Sequence, residues 1–214
     1  MKQYTAILLL AISIVAFTSS CKKSNDAKDY TGIIKDKVWW GEITYTGKAT
    51  EYYSVQFKAD NTLLWSQYAT DDAGEWTVSG KVLTITFNKS GIKVTADISD
   101  DNKLLNIVAT TSAYKIGSGQ MLANPATPFD NTAWKGAIQS ITSDFRLLFA
   151  PGNQVGFLYD NTYPFVPYGY TRSLSGGCFR IGAGPGTLCF GVLTSATEIK
   201  GTFSGGNPWH TTKQ

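Results

Sequence analysis

A single histidine in this chain of 214 residues limits the chemistry that the chain can perform. His210 lies near the carboxyl end, and a histidine-based triad or metal cluster would have to be built around it alone. The Ser-Gly pairs at 79–80 and 175–176 recur at equivalent places in two related segments, which indicates turns and not a nucleophile elbow. A carboxylate pair stays open, because any two acidic residues can meet in space. We expect no enzymatic activity and no cofactor.

An acidic segment from Asp97 to Lys103 has the oxygen-rich composition of a calcium loop. It lacks the glycine in mid-loop and the terminal glutamate that such loops use. We therefore expect a tight, solvated turn and no metal site.

An aromatic stretch between Phe157 and Tyr170 offers the best ligand contacts, since flat rings with hydroxyl groups can stack on sugar rings. Arg172 follows it at the position that aligns with Trp76, and a buried guanidinium needs an anionic partner. We predict a site for a small ligand or glycan from these residues: Tyr159, Tyr163, Phe165, Tyr168 and Arg172. The alternatives are that the aromatic rings cap a barrel or fill an interface, and that Arg172 points to solvent or pairs with an acidic residue.

Two of the three cysteines lie in a segment typical of a hairpin. A four-residue turn at 182–185 would set Cys178 directly opposite Cys189 and send both side chains to the same face. In an oxidising compartment this pair can form a disulfide, worth about 3 kcal/mol through loop closure. We predict that bridge, with two unlinked thiols as the alternative.

The amino-terminal segment carries an export signal. Lys2 precedes an apolar run from Ala6 to Phe17, and small residues then lead to Cys21. This order is typical of a cleaved secretory signal, and the run is short for a membrane span. A cysteine at this place resembles a bacterial lipobox, which implies a signal peptide at 1–20, lipid on Cys21 and an anchor in the outer membrane, on its periplasmic face or at the cell surface. An ordinary signal on a soluble secreted protein is the alternative.

A polar, charged stretch follows, and we expect residues 21–36 to be a lipidated cysteine with its tether. The whole chain has 19 basic and 16 acidic residues, and removal of the signal takes away one lysine. Nothing in this mild balance predicts a nucleic-acid partner, which would need a clustered basic face.

The remainder of the chain contains two similar copies of one pattern. Trp39 aligns with Trp134, and the alternation Tyr53-x-Val55-x-Phe57 aligns with Phe145-x-Leu147-x-Phe149. Later in each copy, Ile98 aligns with Leu193 and Leu104 aligns with Ile199. We predict a first repeat at 37–117, a linker at 118–131, a second repeat at 132–206 and a tail at 207–214.

Each copy contains short runs of Tyr, Phe, Trp, Thr, Val and Ile separated by turn residues, which predicts an all-β fold. Half-buried meanders protect their edges by closing, so we expect two small antiparallel barrels. One larger barrel built from both repeats is the alternative.

The first copy also resembles a known family. Its Trp-Gly pair, the segment Phe57-Lys58-Ala59-Asp60-Asn61-Thr62 and the segment Gly74-Glu75-Trp76-Thr77-Val78 are similar to the lipocalin-like domain of Gram-negative lipoproteins. The resemblance implies a β-barrel plugged by a tryptophan and able to hold a small ligand. The expected function is a non-enzymatic, membrane-anchored binding protein. The alternative is a structural or inhibitory lipoprotein that acts through a protein partner, whose identity the sequence leaves unknown.

Overall fold

The chain folds into two β-barrels in succession. The structure is a computed structural model, and it describes residues 28–122, 129–159, 166–172, 177–183 and 186–214. Within these ranges it is all-β, with two closed antiparallel barrels of eight strands each. The predicted fold class is confirmed, and the alternative of a single larger barrel is excluded.

The first barrel is an up-and-down meander in which each of the first six strands pairs with the next along the chain. Its strands are β1 (Val38–Tyr45), β2 (Thr50–Phe57), β3 (Thr62–Gln67), β4 (Asp71–Ser79), β5 (Val82–Phe87), β6 (Lys93–Ile98), β7 (Lys103–Ala109), β8 (Tyr114–Ile116) and β9 (Gly119–Met121). The last two are parts of one interrupted strand, because both pair with β1. β9 also pairs with β7 and closes the ring. The predicted linker therefore begins too early, since residues 119–121 belong to the barrel.

A short helix, α1 (Tyr30–Ile34), lies at the end of the barrel where β1 begins. Ile34 is fully buried in the core of the first barrel. Lys28 and Tyr30 hydrogen-bond to the Asp100 carboxylate in the turn between β6 and β7, at 3.0 and 2.8 Å. The prediction of a tether as far as residue 36 is therefore wrong beyond residue 27, because apolar side chains of this segment contribute to the core.

The second barrel has the same meander order, and β17 closes it against β10. Its strands are β10 (Thr132–Ile138), β11 (Thr142–Ala150), β12 (Gln154–Tyr159), β13 (Val166–Arg172), β14 (Cys178–Ala183), β15 (Gly186–Ser195), β16 (Glu198–Phe203) and β17 (Asn207–Lys213). A short 3-10 helix, Ser204–Gly206, connects the last two. The predicted tail at 207–214 is wrong, because this segment supplies the closing strand and buries Trp209.

The strand registers confirm that the two barrels repeat one pattern. Trp39 pairs with Val55 in the first barrel, and Trp134 pairs with Leu147 in the second. Both tryptophans are buried, as the family resemblance implies. Between later strands, Ile98 pairs with Leu104 as Leu193 pairs with Ile199.

Equivalent turns also adopt equivalent backbone conformations. Asn61 between β2 and β3 has φ 63°, and Asn153 between β11 and β12 has φ 57°. Asparagine tolerates this left-handed region better than most residues because its side chain can hydrogen-bond locally. The predicted turns are confirmed at both positions.

One predicted equivalence is wrong. Trp76 pairs with Ile85 in the first barrel, whereas Ile181, which aligns with Ile85, pairs with Tyr170. Tyr170 is therefore the counterpart of Trp76, and Arg172, opposite Phe179, takes the place of Val78. Alignment across the Ser-Gly pair misplaced the strand by two residues, because length changes lie on both sides of it.

The predicted disulfide is also wrong. Cys178 pairs with Val192 and Cys189 pairs with Ile181, and the two buried thiols are not joined. Ala183 pairs with Gly186, which moves the ladder by two positions relative to the prediction, and the register shift after Ile181 adds a third. Side chains alternate along a strand, so an odd shift sends the cysteines to opposite faces of the sheet. Cys189 lies on the interior face with Phe179, and Cys178 lies on the face turned to the first barrel.

The two barrels share one apolar core region. Val38, Trp40 and Leu122 of the first barrel pack into the same buried cluster as the interior of the second. A Cβ on Gly177 would approach Leu122 to 2.9 Å and Val38 to 3.1 Å. Glycine at this position therefore allows the barrels to approach closely.

Arg180 on β14 holds this interface together. Its guanidinium forms two hydrogen bonds to the Asp71 carboxylate, at 2.9 and 3.0 Å. It also donates to the backbone oxygens of Gln67 and Tyr68, at 2.6 and 3.2 Å. Burial raises the pKa of Asp71, but the hydrogen bonds and the positive charge of Arg180 act in the opposite direction. The pKa of Asp71 is lowered overall, to below its ordinary value. The bidentate pair fixes β14 against the connection between β3 and β4.

Candidate ligand-binding site

The residues of the predicted site in the second barrel are only partly described. Tyr163 and Phe165 lie outside the described residues, as do the side chains of Tyr159, Tyr168 and Arg172. The backbone nevertheless separates Tyr159 from Arg172. Tyr159 ends β12 at one rim of the barrel, whereas Arg172 ends β13 at the opposite rim, roughly 20 Å from the start of that strand. The backbone therefore does not place Tyr159 and Arg172 at one mouth.

A cavity of about 180 Å³ opens instead at one end of the first barrel. We call it the cup, and it is lined by Ile43, Tyr45, Trp65, Gln67, Thr70, Asp72, Phe87, Ser90, Ile92 and Tyr114. These residues lie at the ends of β1, β3 and β5 and at the starts of β4 and β8, together with nearby turns. The cup is thus at the end of the barrel opposite α1 and the Asp100 turn.

Aromatic rings form the floor and walls of the cup. The Trp65 ring stacks on Tyr53 with a centroid separation of 4.0 Å, and its other neighbour, Phe87, meets it edge-on at 5.5 Å. Tyr45 and Tyr114 face each other edge-to-face at 5.5 Å. Rings fixed by such contacts give a rigid surface for a flat or apolar ligand.

A chain of hydrogen bonds orients the polar groups of the cup. The Trp65 indole Nε1 donates to Gln67 Oε1 at 3.3 Å, and Gln67 Nε2 donates to the Tyr45 hydroxyl at 2.7 Å. The Tyr45 hydroxyl accepts this bond, so its own proton is free to be donated elsewhere. Gln67 is buried, and its amide therefore needs the partners that Trp65 and Tyr45 provide.

Asp72 brings a negative charge to the rim of the cup. Its Oδ1 atom is buried and makes no hydrogen bond within the described structure. A buried carboxylate oxygen without a donor is unfavourable, so this atom is a natural acceptor for a ligand or a water molecule. The neighbouring Asp71 does not share this state, since Arg180 neutralises it.

The ionisable groups around the cup influence one another. Burial raises the pKa of Tyr114, and the nearby Asp72 charge raises it further. Burial also raises the pKa of Tyr45, where the Gln67 hydrogen bond acts in the opposite direction and Glu51 adds to the rise. Both phenols consequently stay protonated at neutral pH and can donate hydrogen bonds. Burial likewise raises the pKa of Glu51, and the charge of Lys48 opposes this rise.

Below the cup, the barrel interior narrows to an apolar slot of about 10 Å³. Trp65 lines both spaces and separates them. The slot is bounded by Tyr53, Val55, Trp65, Leu83, Ile85, Val94, Ala96, Leu104, Ile107 and Ile116. A space of this size holds about one water molecule, so a ligand is confined to the cup unless Trp65 moves.

The described interior of the second barrel is filled by aromatic rings. Trp209 packs on Phe145 at 5.5 Å and on Phe179 at 6.2 Å. A Cβ on Gly201 would lie 2.5 Å from the Trp209 ring, so the glycine makes room for the indole. In the first barrel the residue at the place of Trp209 is Ile116, because each pairs with the aligned isoleucine of the first strand. The smaller Ile116 leaves the slot open.

The other sequence candidates lie in ordinary surface structure. His210 is exposed on β17 and pairs across the ladder with Ala137 and Lys200. The segment from Asp97 to Lys103 is a tight turn in which Ser99 bonds Asp101 and Lys103, as predicted. The described part of the chain contains no group of metal-ligating side chains.

Sequence reasoning missed the polar residues of the cup. Side chains alternate between the two faces of a strand, and three polar residues occupy inward-facing positions near strand ends: Tyr45, Gln67 and Asp72. Each position therefore indicates where the barrel interior becomes polar. That alternation was the available signal. The pairing that gathers them depends on barrel closure, which the sequence does not specify residue by residue.

Comparison of the chain with protein-family models, curated proteins and solved structures finds no match. The class of protein is therefore defined by architecture: two eight-stranded antiparallel barrels, consistent with a lipocalin-like fold. No helix in the described ranges combines the length and apolar character needed to cross a membrane.

Proposed function

We propose that this protein is a non-enzymatic outer-membrane lipoprotein, anchored through lipid on Cys21, that binds a small ligand at the mouth of its first lipocalin-like barrel. The cup supports the binding of a ligand. It combines a concave aromatic surface with a few convergent polar groups, which is the usual composition of a small-molecule site.

The position of the cup supports an outward-facing site. The amino-terminal segment reaches the barrel at the α1 end, where Lys28 and Tyr30 bond to Asp100. The cup opens at the other end of the same strands. A lipid on Cys21 would therefore hold the closed end of the first barrel towards the membrane and leave the cup accessible from the aqueous side.

The alternative, a lipoprotein that acts through a protein partner, would need a contiguous apolar patch of several hundred Å². Among the described residues the exposed large apolar side chains are Val82, Leu105, Val108 and Ile141. These are few, and the last lies on the other barrel. The cup is the better-supported site.

The proposal is tested by a thermal-shift screen of residues 22–214 against glycans, fatty acids, amines and anionic metabolites. A ligand at a hundred times its Kd stabilises the folded state by about 2.7 kcal/mol. For a chain of this size we expect a rise in Tm of roughly 5–10 °C.

Variants in the two barrels locate the site. A shift that is lost in Tyr114→Ala and kept in Tyr168→Ala places the ligand in the cup. The reverse pattern, or loss in Arg172→Ala, would return the site to the second barrel. A silent screen would favour a protein partner, to be sought by pull-down from membranes.

A further inference from the structure

We infer that the cup is a site for a small organic cation, an ammonium group carried on an apolar or aromatic body. This inference rests on the proposed function and specifies its ligand class. The ammonium group would lie between Asp72 and the rings of Tyr45 and Tyr114, and the body would lie on Trp65 and Phe87.

The charges around the cup favour a cation. Asp72 lines the cavity and has no ion pair among the described residues, and its Oδ1 is buried without a donor. Glu51 adds a second carboxylate close to Tyr45. An anionic ligand would meet repulsion from both groups, whereas an ammonium would supply the missing donor and a compensating charge.

The neighbouring lysines do not fill this role. Lys48 lies over the Tyr45 ring at 5.8 Å and acts on Glu51. Lys89, in the turn that contributes Ser90 to the rim, donates to the backbone oxygen of Asp71 at 3.0 Å. Each is engaged next to the cup, and neither bonds to the Asp72 carboxylate.

The aromatic rings of the cup suit a cation better than a neutral polar group. Tyr45, Trp65, Phe87 and Tyr114 surround the same cavity, and electron-rich ring faces attract ammonium groups. The volume of about 180 Å³ limits the ligand to about the size of a single substituted ring. The second barrel has no charged residue at the equivalent position. Asp72 pairs with Trp65, and in the second barrel Val166 pairs in the same way with Phe157.

The test compares three probes of nearly equal size and different charge: 2-phenylethylammonium, 2-phenylethanol and phenylacetate. Their Kd values are measured by isothermal calorimetry on residues 22–214. We expect the ammonium to bind at least tenfold more tightly than the other two. Asp72→Asn keeps the shape of the side chain and removes its charge. We expect this change to raise the Kd of the ammonium at least tenfold and to leave the Kd of the alcohol unchanged.

Asp101→Asn is the matched control, because this exposed carboxylate lies at the α1 end of the same barrel and pairs with Lys103. It should leave all three Kd values unchanged. Equal or tighter binding of the alcohol or of phenylacetate would overturn the cation assignment while leaving a ligand-binding cup in place. The cation assignment would also be overturned if Asp72→Asn left the Kd of the ammonium unchanged. If none of the three binds, the cation assignment fails, and the broad screen decides separately whether the cup binds any ligand.

Discussion

The two barrels are built from one repeated pattern, yet their interiors differ. The first keeps a slot beneath Trp65 and a polar cup above it, while the described interior of the second is packed with aromatic rings. The difference lies at a few aligned positions: Ile116 against Trp209, and Asp72 against Val166. A shared fold therefore does not imply a shared site, because the site depends on the side chains that point inward.

A second contrast concerns how each barrel is closed. The first is capped by α1, whose Ile34 is fully buried, and the second by Phe129, which precedes β10 and is also fully buried. Both caps lie at the end where the first strand begins. The cup opens at the opposite end of the first barrel.

The largest expected effect comes from removing the ring that fills the second barrel. Trp209→Ala should lower the free energy of unfolding by about 3–5 kcal/mol, because it leaves a cavity among closely packed rings. Ile116→Ala, the aligned change in the first barrel, should cost only about 2 kcal/mol, since Ile116 already borders an open slot. Urea unfolding measures both values. Equal costs would contradict the difference in packing.

The next effect concerns the contact between the barrels. Arg180→Ala removes the bidentate pair with Asp71 and two bonds to backbone oxygens, and should cost about 2 kcal/mol. Arg146→Ala is the control, because Arg146 pairs with Asp144 on its own strand at the surface, and its loss should destabilise the protein much less. We also expect faster amide hydrogen exchange around residues 67–71 in Arg180→Ala alone. No change in exchange there would show that Arg180 does not hold the interface.

The same ion pair should give the interface a dependence on pH. The folded state has a lowered pKa at Asp71, so the stabilisation is complete above the unfolded pKa of about 4 and is lost as the pH falls through the folded value. The difference in unfolding free energy between wild type and Arg180→Ala should therefore shrink between pH 5 and pH 2.5. Carboxylates common to both proteins cancel in that difference. A constant difference over this range would show that the ionisation of Asp71 does not contribute to the stability of the interface.

The smallest effect should be alike in the two barrels. Asn61→Ala and Asn153→Ala each place alanine at a positive φ and should cost about 1 kcal/mol, while the glycine variants should be close to neutral. Chemical denaturation of the four variants checks this. Unequal costs for the aligned pair would limit the structural equivalence of the two turns.

Much of the fold could be predicted from the sequence. The spacing of Trp39, Val55 and Phe57 against Trp134, Leu147 and Phe149 identified the repeat, because alternation along a strand depends on local sequence. The predicted tail at 207–214 is wrong, since a strand with proline and histidine carries a weak local signal and its place is set by barrel closure.

The site could be predicted less well, for reasons that concern register. Cys178 and Cys189 were placed face to face by assuming a four-residue turn, and the observed ladder differs by three positions. The predicted equivalence of Arg172 with Trp76 is wrong because an insertion obscures the true counterpart, Tyr170. The cup depends on contacts among distant strands, which composition and spacing along one strand do not determine.

The indole N–H signals of the six tryptophans can show whether the ligand site belongs to the first barrel. Trp65 lines the cup, whereas Trp134 and Trp209 are buried in the second barrel. We would record ¹⁵N–¹H spectra of residues 22–214 during titration with 2-phenylethylammonium and with the strongest hit of the screen. We predict that the Trp65 signal shifts until the protein is saturated with ligand and that the signals of Trp134 and Trp209 stay in place. A shift of Trp134 or Trp209 with Trp65 unmoved would contradict this prediction.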